Sequence, residues 1–538
     1  MFNGYNNIGF AHSAKGDKKV SVFSTVLQEY LPGAFTVATA EEIEEAIVKA
    51  NHAFELYKNT SCEERAIFLE SIAEEILKIG DVLIERAMLE TGLTEARLVG
   101  ERGRTVTQLK MFASVLREGS WVEAVIDPAM PERKPLPRAD LRKMLYPVGP
   151  VAVFGASNFP FAFSTAGGDT ASALAAGCPV IIKAHMAHLG TNELVANAIT
   201  IAAQKCRMPD GVFSSLVGEG AKLGQALAKH PFIKAIGFTG SFRAGMALYK
   251  TAVNDREVPI PVYAEMSSIN PVVLLPGKIQ EETEKIATQL ATSITLGVGQ
   301  FCTNPGLLFM IDNPSTDTFI HTLAQQLKGV SAGNMLNQAI CKSYYEGREK
   351  ISGEKGIHTI LSGVDESNSY KGSPALMSVQ AAEFIANTSL QNEIFGPASL
   401  IVKCEDGSQL LEAIQALHGQ LTGTIFGSMN DINEHATCIN ALTGKVGRII
   451  YNSVPTGVEV CHAMIHGGPF PSTTDARSTS VGADAIKRFV RPVCYQDCPE
   501  ALLPDALKND NPLGIMRKVD GSYARSKVNV EVKPAISA

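Results

Sequence analysis

The chain has 538 residues, with 55 acidic against 48 basic side chains and a formal net charge of −7, which argues against a protein that coats nucleic acid through a basic surface. At 45% hydrophobic and 19% charged it has a core-forming composition, not a disordered one. The length suggests about three or four compact units, and no uninterrupted apolar run reaches the ~18–20 residues of a membrane span.

The start, Met1-Phe2-Asn3-Gly4-Tyr5-Asn6-Asn7, has neither the basic residues nor the apolar stretch of a secretory signal. A soluble, cytoplasmic chain without membrane or nucleic-acid partners is expected. Its 10 cysteines are too sparse for a disulfide framework and form no CxxC pair. Most are expected to be small core residues, with one or two carrying chemistry.

In chain order, helices come first. Thr39 with Glu42 reads as a capping box, followed by Ile43, Ile47, Ala50, Phe54 and Tyr57 at helical spacing. Ser61 with Glu64 repeats the signal before Ile67, Phe68, Ile72 and Ile76, and Gly80 supplies a stop. Between Pro128 and Pro147 dense prolines forbid a helix, which predicts an extended arm or edge hairpin. Strand-like runs then alternate with helices: strands at Val151–Phe154, Val180–Ile182, Val212–Val217, Ile233–Phe238 and Val262–Met266, helices at Ala171–Ala176, Thr191–Lys205, Ala221–Lys229 and Ala244–Val253. Such alternation predicts a doubly wound α/β sheet, whose ligands bind at the carboxyl ends of the strands. A second alternating segment runs from Asn270 to about Phe489, and Arg525–Ala538, without periodicity, reads as a frayed tail.

Two glycine turns compete for a dinucleotide phosphate: Gly218-Glu219-Gly220-Ala221-Lys222-Leu223-Gly224, and Thr239-Gly240-Ser241 continuing to Gly245. Each stands where a strand gives way to a helix, whose free N–H groups and positive dipole end suit pyrophosphate. Cys302, between Gly299-Gln300-Phe301 and Thr303-Asn304-Pro305-Gly306, reads as a thiol on a tight turn or as a buried core cysteine.

Together, Phe154-Gly155-Ala156-Ser157-Asn158-Phe159-Pro160, Gly237-Phe238-Thr239-Gly240-Ser241, Ala264-Glu265-Met266, Gly299-Gln300-Phe301-Cys302 and Glu393-Ile394-Phe395-Gly396-Pro397 resemble the aldehyde dehydrogenase superfamily, in its order. The stretches Phe161–Asp169 and Pro455–Cys461 resemble the branch with α-ketoglutaric semialdehyde (2,5-dioxovalerate) dehydrogenases and an NADP-dependent fatty aldehyde dehydrogenase. One departure from the common family pattern, Thr303-Asn304-Pro305-Gly306 with no arginine following, is shared by that branch.

The resemblance implies Cys302 as nucleophile, Asn158 with the Cys302 N–H as oxyanion hole, and Glu265 as the base that hydrolyses the thioester. Members that pass the acyl group to coenzyme A usually lack that glutamate, so a free acid is expected. His462 matches a histidine that some branch members place near the thiol. For the cofactor, Lys183 is kept while Met186 replaces the ribose-binding glutamate, which favours NADP with NAD tolerated. Lys222 is a second cation for the 2′-phosphate, Thr239 lies near the nicotinamide, and Glu393 and Phe395 orient its ribose and ring. The substrate wall falls on the helix around Arg104, which is either a cation for a distal carboxylate or a surface arginine, with Phe159 and Phe163 facing it. Apolar phenylalanines keep a fatty aldehyde in view. Neither His185…His188 nor His462…His466 has a third ligand in register, so no metal is expected.

The implied architecture is a Rossmann-like cofactor domain (1–128 and 148–268), a catalytic α/β domain (269–478), an oligomerisation arm with bridging segment (129–147 and 479–515) and a tail (516–538). Such an arm implies a homodimer or homotetramer. A cysteine-based esterase could use the same thiol, but Gly240 and the Glu393/Phe395 pair argue against it. A non-catalytic member of the fold would have no need of Cys302, Glu265 and Asn158 together.

Overall fold

The structure, a computed structural model, describes residues 2–528. Both capping boxes form. Thr39 and Ser61 accept from the N–H groups of Glu42 and Glu64, whose carboxylates accept from the cap N–H in return, opening helices Ala40–Tyr57 and Cys62–Ile79. Gly80, at φ +68°, ends the second and turns the chain into Asp81–Thr91. A long helix, Glu95–Glu118, then packs against Cys62–Ile79.

The first sheet runs Val262–Glu265, Ala235–Thr239, Val151–Phe154, Val180–Lys183, Phe213–Leu216, Asn6–Ile8, Ala11–Ser13. Its first five strands are parallel and lie close to their expected bounds. Val180 and Ile182 enter one core while Ile181 enters another, so both faces are covered and the strands read as apolar runs. From Val151–Phe154 the chain builds outward in one direction, then returns to build Ala235–Thr239 and Val262–Glu265 on the other side. The crevice between Val151–Phe154 and Ala235–Thr239 is therefore a topological switch point, the place where such sheets bind ligands.

The second sheet runs His358–Leu361, Ala375–Gln380, Ala398–Cys404, Leu307–Ile311, Pro271–Leu274, Gln420–Phe426, Val446–Tyr451, parallel except for its first strand. After Tyr451 the chain crosses back to the first sheet: Thr473 bridges Glu265, and Met266 N donates to Ser472 O at 2.7 Å. This crossing places residues just before 478, assigned from sequence to the catalytic unit, on the strand that carries Glu265.

The proline-rich segment is a hairpin of Val125–Asp127 with Leu141–Pro147, and Val490–Gln496 pairs along its outer edge. The tail set at 516–538 needs correction: Arg517–Val519 pairs with Val125–Asp127 and turns back into Ser522–Ala524, both strands of this arm sheet. Buried Arg517 holds the segment by donating to the carbonyls of Lys508, Asn509 and Ser526. Of the stretch expected to fray, 529–538 lie outside the described residues. Among the described residues no helix is long and apolar enough to cross a membrane.

Candidate active site

Cys302 follows the helix Pro276–Thr295 through three residues of positive φ, Gly297 (54°), Val298 (58°) and Gly299 (65°). A Cβ on Gly299 would lie 2.3 Å from the Gly396 carbonyl carbon, so only glycine lets the turn pass so close. Asn270 Nδ2 clamps the turn by donating to the carbonyls of Cys302 (2.8 Å) and Asn304 (2.9 Å). Half-buried, Cys302 keeps access to a cavity.

Glu265, the last residue of its strand, and His466, on the returning segment, meet at this thiol. His466 Nε2 lies 3.3 Å from Cys302 Sγ and 2.9 Å from Glu265 Oε1. Ser480 Oγ donates to Glu265 Oε2 at 2.7 Å, and Thr479 Oγ1 accepts from the His466 N–H at 2.9 Å. Burial, then the neighbouring Glu265 carboxylate, push the Cys302 thiol well above its ordinary range, with Arg104 opposing them. Burial also works to raise Glu265, but His466 and Ser480 outweigh it and hold the carboxyl below its usual value. The site thus holds a protonated thiol and a carboxylate on either side of one imidazole nitrogen.

The expectation for His462 is corrected. That ring is exposed, and the histidine at the sulfur is buried His466, four residues on. His466 carried one signal in the sequence, its spacing from His462, a pair that lacks a third ligand in register and says nothing of the thiol. Asn158 stands in the loop after Val151–Phe154, buried, with Nδ2 donating to Gln300 O at 3.1 Å and its second amide hydrogen uncommitted.

A cavity of about 700 Å³ opens onto Cys302, walled by Phe159, Phe163, Phe301, Arg97, Arg104 and Arg448. Two of these arginines are engaged. Arg448 donates to the carbonyls of Gly457 and Pro455. Arg97 pairs with Glu101 at 2.7 Å and lies over the Phe159 ring. Glu101 Oε1 in turn accepts the backbone N–H groups of Phe161 and Ala162, both at 2.9 Å. Arg104 differs: Nε donates to Val458 O at 3.2 Å, while both terminal nitrogens are buried without a partner. It lies 5.0 Å from the Phe163 ring centre, so it belongs to the pocket and not to an exposed helix face.

At the switch point, Ser241 caps the helix Phe242–Asn254, whose first turn is open to solvent. Gly240 N donates to Glu265 O at 3.0 Å, which ties the turn to the end of the neighbouring strand. A Cβ on Gly245 would reach within 2.7 Å of Met266 Sδ, so glycine lets this helix settle onto the sheet. Thr239 Oγ1 is buried and unpartnered. Lys183, nearly buried, donates only to Ala184 O at 2.7 Å, and burial pushes it down to about 8. Met186 packs on the Val22, Leu31 and Phe35 cluster, where it makes no charge contact, and Lys222 is exposed on the first turn of Gly220–Lys229. Glu393 and Phe395 line a small cleft beside Gly299 and Phe301; burial raises Glu393 to about 7, with Ser267 and the Ser268 N–H opposing.

Residues 11–492 match the aldehyde dehydrogenase family. The chain belongs to the aldehyde dehydrogenase family. α-Ketoglutaric semialdehyde dehydrogenase 2 of Azospirillum brasilense is 54% identical over 487 residues, covering 90% of this chain and 93% of the relative. α-Ketoglutaric semialdehyde dehydrogenase of Acinetobacter baylyi is 47% identical over 488 residues, covering 90% and 92%. In fold, the chain is similar to betaine aldehyde dehydrogenase from Staphylococcus aureus in complex with NAD+, with a TM-score of 0.77 at 19% identity over 93% of this chain and 96% of that one.

As an NAD(P)-dependent aldehyde dehydrogenase, the protein needs a nucleophile, a base and a dinucleotide crevice within reach of one carbon. The residues present fit the dinucleotide. Thr239 Oγ1 is an orphaned buried hydroxyl, Lys183 is a buried cation without an anion, and the capped helix start after Gly240 presents free N–H groups. When bound, the dinucleotide supplies the hydride acceptor that this chain lacks.

Proposed function

We propose that this enzyme oxidises α-ketoglutaric semialdehyde (2,5-dioxovalerate) to 2-oxoglutarate, with NADP favoured and NAD tolerated. The observation that carries the reading is Arg104, whose terminal nitrogens are buried and unpartnered in the cavity that ends at Cys302. An unpaired buried guanidinium is costly. A substrate with an anionic 2-oxo acid at one end and an aldehyde at the other satisfies it. The names of the two curated relatives support the same substrate.

His466 Nε2 takes the Cys302 proton as sulfur attacks the aldehyde carbon. Asn158 Nδ2 and the Cys302 N–H hold the oxyanion of the resulting thiohemiacetal, each such donor being worth about 3–4 kcal/mol. The thioester that follows is hydrolysed by a water from which Glu265 removes a proton, which yields a free acid. Thr239, Gly240, Ser241 and Gly245 shape the crevice, Glu393 and Phe395 orient the nicotinamide ribose and ring, and Lys183 with Lys222 faces the 2′-phosphate. Met186 supports NADP because it puts no carboxylate against that phosphate.

The first sheet with the N-terminal helices forms the cofactor unit and the second sheet the catalytic unit. Strand Val490–Gln496 leaves one edge of the arm sheet unpaired, which supports pairing with a second copy, in a homodimer or a homotetramer. All 10 cysteines are free, in keeping with a cytoplasmic enzyme. Fatty aldehydes are the second reading, favoured by Phe159, Phe163 and Phe301 in the same cavity. The test is kcat/KM for α-ketoglutaric semialdehyde, succinic semialdehyde, glycolaldehyde and a long-chain aldehyde with each dinucleotide. The 2-oxo semialdehyde with NADP should lead, and a clear preference for the long chain would overturn the reading.

A further inference from the structure

Glu265, Cys302 and His466 handle protons in the reaction, yet their donor atoms also form a set of another kind. Cys302 Sγ, His466 Nε2 and a Glu265 carboxylate oxygen all lie within 4.8 Å of one another. Tetrahedral zinc with Zn–S of about 2.3 Å and Zn–N and Zn–O of about 2.0–2.1 Å holds its ligand atoms ~3.3–3.6 Å apart. Nε2 stands 3.3 Å from the sulfur and 2.9 Å from Oε1, and the sulfur and carboxylate lie within 4.8 Å, so an ion is held once those two close toward the tetrahedral spacing.

The surroundings are those of a metal site as well. Ser480 occupies Glu265 Oε2 and leaves Oε1 turned to the histidine. Thr479 Oγ1 and the Ser480 N–H bind the His466 backbone N–H and carbonyl, which fixes the ring's position. Such outer contacts orient ligands and raise affinity. A thiolate, an imidazole and a carboxylate around one open position match a zinc centre of the catalytic type. The cavity reaches the cluster at Cys302, the side from which an ion and a fourth, water ligand would enter.

We propose that this cluster is also a binding site for one borderline-soft divalent cation, Zn²⁺, which turns the enzyme off reversibly by occupying its nucleophile. On binding, the Cys302 S–H bond breaks, the sulfur electron pair forms the Zn–S bond, and the proton leaves to solvent. Nothing is oxidised or reduced. The inference rests on the geometry of the cluster and not on the identity of the aldehyde, so its primary test contains no substrate.

The experiment titrates Cd²⁺ into chelator-treated, full-length enzyme and follows the thiolate-to-metal ultraviolet band, with Zn²⁺ added in competition. One equivalent should bind, Zn²⁺ should displace it, and Cys302→Ser should abolish the band. His466→Asn and Glu265→Gln should each weaken binding more than about tenfold; the second serves should the first fail to fold. Cys494→Ser, an exposed thiol away from the cluster, should change nothing. Enzyme loaded with Zn²⁺ should be inactive and regain activity with chelator. Unchanged affinity in both His466→Asn and Glu265→Gln, or a band that survives Cys302→Ser, overturns the proposal.

Discussion

His466 Nε2 lies 3.3 Å from Cys302 Sγ, while His462, four residues earlier, is exposed. The thiol is pushed up by burial and by Glu265, so attack on a carbonyl requires a base at the sulfur. His466→Asn should lower kcat/KM for any aldehyde by roughly 10²–10⁴, the range of general base catalysis, and slow alkylation of Cys302 by iodoacetamide. His462→Ala should leave both unchanged. Alkylation at the wild-type rate in His466→Asn would show that the ring does not activate the thiol.

Arg104 lines the cavity, and its two terminal nitrogens are buried without a partner. Replacing it with Ala removes a charge-assisted contact worth about 1.5–3 kcal/mol, so KM for carboxylated semialdehydes should rise roughly 10- to 100-fold while hexanal is little affected. Lys should restore part of the loss, since a point charge cannot reproduce the planar donor pair. Equal effects on both aldehyde classes would remove Arg104 from substrate recognition.

Glu393, raised by burial to about 7, should make dinucleotide binding pH-dependent. A carboxylate accepting ribose hydroxyls acts ionised, so below pH 7 binding must expel a proton and affinity falls by up to about tenfold per pH unit. Above pH 7 it should level off. The sign for stability is the reverse: the unfolded carboxyl ionises near 4.5 and the folded one near 7. Stability contributed by protonated Glu393 is therefore complete below about 4.5 and lost as pH rises through 7. Calorimetric titrations on either side of pH 7 should show this dependence in the wild type and lose it in Glu393→Gln.

Lys183 carries the opposite sign. Burial depresses it to about 8, and a 2′-phosphate needs the ammonium form. The ratio of NADP to NAD affinity should fall as pH rises through 8, and Lys183→Gln should lower that ratio at neutral pH while sparing NAD. A ratio independent of both pH and the substitution would separate Lys183 from the phosphate.

Glu101 joins the Arg104 helix to the loop carrying Phe159 and Asn158 through two backbone N–H bonds, and it pairs with Arg97 on its own helix. Glu101→Ala strands a partly buried guanidinium and two buried N–H groups, at a cost of about 3–5 kcal/mol. Chemical denaturation should show that loss, and Glu101→Gln, which keeps an acceptor, a smaller one.

Local signals were legible where one stretch of chain settles its own conformation. Thr39 with Glu42 and Ser61 with Glu64 act over three residues, and both boxes form as expected. Apolar runs such as Val180–Ile182 gave the strands because burial on both faces imposes hydrophobicity at every position. Arg517–Val519 leaves no local signal because its place depends on pairing with Val125–Asp127, nearly four hundred residues away in sequence, and on a buried arginine that has no periodic signature.

Residue types in order determined the family and the sheet class, since motif chemistry and strand periodicity are written within short segments. Which histidine faces the sulfur was decided only by the tertiary structure. The segment after Tyr451 is irregular, and its contact with the Glu265 strand through Thr473 selects the ring that is buried. The same holds for Arg104, whose Nε is taken by the carbonyl of Val458, more than three hundred residues on, while its buried terminal nitrogens stay without a partner.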